Sequence, residues 1–391
     1  MSVRQLLTEF VKQHLFEQVR KKFDMVLPDD LKELAALFKS SGHQLYVVGG
    51  SVRDALQGKE PKDYDVATDA VPDQVIKVLR TNPTYKILEI GKSFGVVVCI
   101  TPEGGEYEIA TFRRDVGKGR RPDSVEFTSI EQDVMRRDLT INALFYDIDK
   151  HEVVDFVGGI DDIEKGVVKA VGDASERFDE DRLRILRALR FAGRMGSKLD
   201  PSTDAAIKKD NKLTGVSPER IRDEFLKGIK SARSVPYFLS LIDEYGLWGQ
   251  LFPGLNASGK GIDTNNVPIA LALMLDKNDA QTVAKKLNTS KYSADEVSQV
   301  RFLLMSKDIK VENAFRMKKQ FKTAHLSDDD LIEYGHARGA PPSNVLMAFV
   351  EYEPTTTGAE LMADGFTGAE LGRELERRET VKFQELLEGT A

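Results

Sequence analysis

The segment "YVVGGSVRDALQGKEPKDYDVATDA", Tyr46 to Ala70, constrains what this chain can fold into more than any other stretch. A short apolar run stops at Val48, Gly49 and Gly50 follow, and "SVRDALQG" takes up helical spacing: a strand that turns straight into a helix. Glycines at such a junction let backbone amides approach an anion closely, and the dipoles at a helix start favour negative charge. Gly49, Gly50 and Ser51 are therefore candidate phosphate contacts, and Arg53, one turn on, is a candidate cation for the same group. Asp63 and Asp65 then stand at i and i+2 of what alternation predicts as a strand, so both carboxylates leave one face. Paired hard oxygen ligands suit a divalent cation, Mg2+ above all, which keeps several waters and accepts substrate phosphates into its shell. A phosphate cradle beside such a pair is what nucleotidyl transfer needs. Either half alone is commonly a plain turn or two solvated carboxylates; the spacing of the two gives the weight. Glu108, in "YEIATFRR", alternates with Tyr107 and Ile109 so as to offer a third carboxylate to that face, and an exposed strand glutamate would be spelled the same way.

A chain of 391 residues with 41% apolar residues is too long for one compact core and predicts two or three domains. Short β-branched runs predict strands at 44–48, 63–67, 96–101, 106–111 and 153–156. Helical spacing covers 30–38 and 72–79, the second with Asp69 as cap and Pro72 in its first turn. From about Ala174 onward helix follows helix, including 179–194, 218–229 and 236–245. The fold class is thus α+β: a head with a small mixed sheet, then an all-α remainder. The stretch "RRDVGKGRRPDSVEF", Arg113 to Phe127, has no consistent period and predicts a mobile loop. The single cysteine, Cys99, lies inside "VVVCI" and reads as a buried small hydrophobe. With no disulfide framework and no apolar run near the roughly 20 residues that cross a bilayer, a cytoplasmic, non-membrane protein is expected. Glu9 and Glu17 interrupt the basic residues of the first 25, which makes a transit peptide the weaker reading and confines a mitochondrial location to a eukaryotic host. The net charge of −7 offers no basic excess, so RNA contacts would rest on local patches.

Further ordered motifs appear downstream: "RRDLTINAL" (136–144), "VVDFVGGIDDI" (153–163), "RFDEDRLRILRALRFA" (177–192) and "SPERIRDEFLKGI" (217–229). With "GGSVRD" and "DYD" they span about 200 positions, over which the chain resembles the class II CCA-adding enzymes, tRNA nucleotidyltransferases that share a superfamily with bacterial poly(A) polymerases. The resemblance implies a palm-like, polymerase-β-like nucleotidyltransferase head (27–160), a neck with the nucleotide-selecting helices (161–232) and a helical, tRNA-binding body and tail (233–391). Residues 1–26 are expected as a helical extension without a family match. It further implies addition of C, C and A to the 3′ end of tRNA, at the acceptor arm, from CTP and ATP, without a nucleic-acid template. Asp63 and Asp65 would hold Mg2+, and the oligomeric state is left open.

Asp181 and Arg184 are three apart, and on one helix face would offer a carboxylate to the exocyclic amine of cytosine or adenine and a guanidinium to the ring acceptor beside it. Uracil and guanine present a carbonyl to that carboxylate and would leave a buried charge unpaired. Arg187 and Arg190 continue the helix in three-residue steps, and the resemblance places them around the nucleotide; surface ion pairs are the plain alternative. The resemblance also assigns Arg137 to the nucleotide and Asp138 with Asn142 to the ribose, although Asp138 could instead cap a helix over "LTINAL". Gly158 and Gly159 match a hinge-like connector. The region "GKSFGVVVCI" lacks the Arg-rich signature of poly(A) polymerases, and the retained "GRRPDSVEF" argues against CC-only addition. A non-catalytic tRNA-binding protein would be marked by loss of Asp63 or Asp65, and both are present. None of the five histidines precedes an aspartate, so no metal-dependent phosphohydrolase domain is expected. "RMKKQFKTAH" (316–325) suits phosphate contacts or a solvated face, and the acidic residues of "GFTGAELGREL" (365–375) argue against direct RNA contact there.

Overall fold

The computed structural model describes residues 19–116, 124–339 and 343–389. The chain divides into two compact units, Met1–Thr214 and Gly215–Ala391, a boundary inside the segment expected as a neck.

The first unit is built on strands β1 (Val19–Lys22), β2 (Leu45–Val48), β3 (Val66–Thr68), β4 (Lys86–Leu88), β5 (Val96–Ile100) and β6 (Glu106–Thr111), a hairpin β7 (Arg113–Val116) and β8 (Ser124–Phe127), then β9 (Phe145–Asp147) and β10 (Glu152–Asp155). Among them run helices α1 (Asp29–Ser40), α2 (Gly50–Leu56), α3 (Pro72–Leu79) and α4 (Ile130–Met135). After β10 follow α5 (Gly159–Lys165), α6 (Ala174–Glu180), α7 (Leu183–Met195) and α8 (Pro201–Lys209). Eight strands form one sheet in the order β1-β10-β9-β2-β3-β6-β5-β4. Only β3 and β6 pair in parallel, which makes the sheet mixed as expected.

Strand alternation decides what each face carries. On one side Val47, Val66, Ile109 and Tyr146 pack with Leu31, Leu34 and Phe38 of α1 and Val75 and Leu79 of α3. On the other, Tyr46, Val48, Ala67 and Phe145 pack with Phe112 and Val134, and this face carries the carboxylates described below. Cys99 is buried on β5, where burial and the nearby Asp30 push its thiol up to about 12.

Several local expectations are corrected. Asp63 and Asp65 precede β3, whose pairing begins at Val66, because β2 ends at Val48 and turns into a helix at Gly49, leaving Asp65 with the bond from the Val48 amide. Helix α3 is capped at Val71, whose N–H donates to the Gln74 side chain at 2.9 Å, while Asp69 accepts from the Gln44 amide at 2.9 Å. No helix runs through "LTINAL": a 3-10 turn spans Thr140–Asn142, and Asp138 is not a helix cap. The segment expected as a mobile loop folds at its base into the β7–β8 hairpin, while its central residues, 117–123, lie outside the described residues. Val19–Lys22, expected in a helical extension, is an edge strand held by Lys21 to Glu164 at 2.8 Å and Arg20 to Glu152 at 3.4 Å; residues 1–18 lie outside the described residues. At the connector, Gly158 has φ +81° and uses glycine's conformational freedom, whereas Gly159 is buried and a Cβ there would overlap the Thr140 carbonyl, so at that position close approach demands glycine.

The second unit is helical throughout its described residues, from Pro218–Ser231 to Gly368–Gly389. Phe225 meets Phe238 and Phe252 with ring centroids 5.9 and 5.6 Å apart. Much of the basic run 316–325 is spoken for: Lys318 is buried and donates to the Phe349 and Val350 carbonyls at 3.1 and 2.9 Å, and Lys322 pairs with Glu353 at 2.6 Å. Glu374 in the last helix is bound by Arg377 and Arg378, which hold it near the bottom of the carboxylate range, about 2. Among the described residues no helix is long and apolar enough to cross a membrane.

Candidate active site

Asp65 lies in the extended approach to β3, where its carbonyl accepts the Val48 amide at 2.9 Å. Val66 is paired with Ile109 in the parallel β3–β6 ladder, so one step back the register sets Asp65 beside Glu108, on the same face. All three acidic side chains, Asp63, Asp65 and Glu108, are exposed. Partial burial raises the Asp65 carboxyl above its ordinary value, Arg137 opposes that, and the neighbouring Asp63 adds to it. Two carboxylates in mutual repulsion, with oxygen donors only, fit a hard divalent cation. Among the described residues no three Asp, Glu, His or Cys side chains are grouped to hold one ion, so Glu108 faces the same side without closing a three-ligand set.

The strand-to-helix turn requires its first glycine: Gly49 has φ +75°, and its amide donates to the Leu144 carbonyl at 3.0 Å. The Ser51 hydroxyl is buried and donates to the Val48 carbonyl at 3.1 Å, closing the turn. Helix α2 starts at Gly50 as expected, but Arg53 is not a surface cation. It is 2% exposed, donates to Asp54 at 2.8 and 3.0 Å and to Asn142 Oδ1, and lies over the Phe191 ring. Two guanidiniums line the turn: Arg53 Nη2 is 3.4 Å from where a Gly50 Cβ would stand, and Arg137 Nη1 is 3.7 Å from where a Gly49 Cβ would stand. Arg137 Nε and Nη2 donate to Asp133 at 3.2 and 3.1 Å, and its guanidinium covers the Phe145 ring at 4.6 Å.

Asp138 and Asn142 are brought together, though inside a longer chain of bonds. Arg187 donates to Asp138 Oδ2 at 2.7 Å, the Leu139 amide to Oδ1 at 2.8 Å, and Asn142 Nδ2 to Oδ1 at 3.4 Å; Asn142 Oδ1 in turn accepts from Arg53. Burial alone would raise the Asp138 carboxyl, but Arg187 and these donors hold it below its ordinary value. Phe191 is the residue the sequence concealed: its ring lies 4.8, 5.8 and 4.2 Å from the guanidinium carbons of Arg53, Arg187 and Arg190. Spacing "RFA" on an amphipathic helix marks it only as core. Asp54, which takes Arg194 at 2.9 Å as well as Arg53, was equally hidden.

Asp181 and Arg184 do not share one continuous helix. Helix α6 ends at Glu180, Asp181 has φ −151° and ψ 103°, and α7 starts at Leu183, whose amide donates to Asp181 Oδ1 at 3.1 Å. The corner thus aims both residues from a helix junction. Arg184 Nη1 donates to the Arg177 carbonyl at 3.1 Å and to Glu180 at 2.5 Å, and its Nη2 to the Arg136 carbonyl at 2.9 Å. Of a guanidinium's five donors, the Nε edge and one Nη2 hydrogen remain for a ligand.

A mixed sheet with a glycine turn under a half-buried arginine and acidic side chains on the adjoining strand approach places the first unit among nucleotidyltransferase heads. The Poly A polymerase head domain family matches residues 45–169, and the family described as a probable RNA and SrmB-binding site of polymerase A matches 196–258. A CCA-adding enzyme of Lactobacillus johnsonii is 34% identical over 352 residues, 86% of this chain and 85% of that protein. One of Bacillus pumilus is 42% identical over 206 residues, a stretch that spans half of each chain (51% and 50%). The crystal structure of the Bacillus stearothermophilus CCA-adding enzyme in complex with CTP superposes with a TM-score of 0.70 at 25% identity, over 93% of this chain and 94% of that one. The chain belongs to the family of class II CCA-adding enzymes, tRNA nucleotidyltransferases.

Proposed function

We propose that this protein adds C, C and A to the 3′ end of tRNA from CTP and ATP, releasing pyrophosphate and using its own side chains in place of a template. The observation that carries the reading is the convergence, on one sheet face, of Asp65 beside Glu108 and of the Arg137 guanidinium over the Gly49 turn. The family suggests a divalent metal; Asp63 and Asp65 are the residues that would hold Mg2+, which would activate the attacking hydroxyl and steady the leaving pyrophosphate. The chain's residues supply the rest. Arg137 Nη1 and the amides of Gly50 and Ser51 receive phosphate oxygens; Asp133 keeps the guanidinium from swinging onto the aspartates. Asp138 and Asn142 stand where a ribose hydroxyl could join their bond chain. The carboxylate of Asp181 and the remaining donors of Arg184 read the base.

The test is to incubate the purified protein with tRNA lacking its 3′ CCA, Mg2+ and each nucleotide separately and together. CTP alone should extend the tRNA by two, CTP with ATP by three, and UTP or GTP not at all. An unlimited run of A would instead identify a poly(A) polymerase, a stop after CC a CC-only enzyme, and no incorporation a tRNA-binding protein.

A further inference from the structure

Arg184 does not stand alone at its corner. Helix α4 ends at Met135, where the last carbonyls lack partners within the helix and carry its negative pole. Two guanidiniums from the α6–α7 corner fill these places: Arg177 Nη1 donates to the Met135 carbonyl at 2.9 Å and Arg184 Nη2 to the Arg136 carbonyl at 2.9 Å. Arg177 and Arg184 are themselves bridged by Glu180, at 2.6 and 2.5 Å. The base-reading corner therefore rests on the main chain of 135–136.

One buried carboxylate, Asp133, holds the Arg136 side chain that leaves this main chain. Asp133 is 1% exposed; it accepts Arg136 Nε at 2.9 Å and the Arg113 amide at 3.1 Å on one oxygen, and Arg137 on the other. Arg136 Nε also donates to the Arg113 carbonyl at 3.1 Å, so its side chain is strung between α4 and the first residue of β7. A carboxylate able to satisfy one arginine holds three groups: the Arg137 cation beside the Gly49 turn, the Arg113 amide at the base of the hairpin, and the side chain of Arg136, whose own carbonyl lies under Arg184.

We propose that Asp133 and Arg136 are positioning residues for base selection, which set the Arg136 carbonyl on which Arg184 rests and so the direction in which its remaining donors meet a base. The proposal rests on the CCA-adding reading. Hydrogen bonds weaken steeply with angle, and displacements of about 1 Å can cost on the order of a hundredfold in rate, so a shifted carbonyl is felt as lost discrimination.

The test uses the full chain with Arg136→Gln and Asp133→Asn, plus Arg136→Lys, which keeps the charge but not the fork. Single-turnover rates and KM with CTP, ATP, UTP and GTP on tRNA lacking CCA are taken beside melting curves. The UTP-to-CTP ratio should rise roughly tenfold in Arg136→Gln, with Arg136→Lys in between. Because both nucleotides meet the same folded fraction, this ratio is blind to a loss of stability, and Arg136→Lys carries the test should the other two fail to fold. An unchanged ratio, with all rates lowered together, overturns the proposal. Wild-type protein that extends no tRNA would refute the CCA-adding reading instead; equilibrium titration with CTP and UTP then still decides the positioning role, unchanged selectivity counting against it.

Discussion

Asp63 and Asp65 carry like charges in neighbouring positions, and the Asp65 carboxyl is raised mainly by burial, with Arg137 opposing and Asp63 adding to the shift. Removing either side chain takes away a proposed metal ligand while leaving the fold's packed faces untouched, since both are exposed. Asp63→Ala or Asp65→Ala should lower incorporation of C and of A by about a thousandfold or more, with tRNA binding largely retained. Near-normal turnover in Mg2+ would show that the metal is held elsewhere. Asp133 presents the opposite electrostatic case. Burial resists its ionisation, but Arg137 and Arg136 prevail and hold it below the ordinary carboxylate value. A depressed folded pKa contributes stability that is fully present above the unfolded value and is lost as pH falls through the folded one. Asp133→Asn should therefore melt well below wild type at neutral pH, and the gap should narrow in acid; a gap that stays constant with pH would mean that shape, not charge, matters there. The glycine turn and the two aspartates were legible because their chemistry is local in sequence. Asp133 was not: four residues before Arg137 it reads as an ordinary helix-surface pair, and only burial shows that one carboxylate serves two arginines.

Among elements, the β7–β8 hairpin and the α6–α7 corner are where periodicity misled. "RFDEDRLRILRALRFA" keeps helical spacing throughout, yet Asp181 leaves helical geometry at the end of α6 and its side chain accepts the Leu183 amide that opens α7, which breaks the run. A polar side chain that hydrogen-bonds the backbone two residues on competes with the helix, and sequence spacing does not register the outcome. Strand β9 was missed because so short a segment, Phe145-Tyr146-Asp147, carries no period that distinguishes strand from helix. The hairpin was legible as irregular, but its stem is paired, with Arg114 Nε on Glu126 at 2.8 Å and the Arg113 side chain on the Phe94 carbonyl. The hairpin is anchored at its base and joined through Arg136 to the α6–α7 corner, so in the proposed function it would be the lever that adjusts one pocket between bases. Shortening the segment between Arg113 and Phe127 while keeping its stem should spare CC addition and lower the terminal A step by roughly tenfold or more. Equal loss of both steps would make the segment part of the common site.

Over the whole chain, the α+β head and the helical remainder were legible from the change of period near Ala174, whereas the division at Thr214–Gly215 was not, because nothing in composition marks it. In the proposed function, side chains of the first unit stand in for a template. Arg184 is central to that role, since its main-chain contacts leave one edge of the guanidinium for a base. A purely structural Arg184 would tie α4 to α7 and nothing more. The most direct measurement is the incorporation of each of the four nucleotides by Arg184→Ala on tRNA lacking CCA, taken beside a melting curve. Acceptance of UTP or GTP relative to CTP and ATP should rise by roughly ten- to a hundredfold. Unchanged base preference, with a lowered melting temperature and all rates reduced alike, would contradict the account.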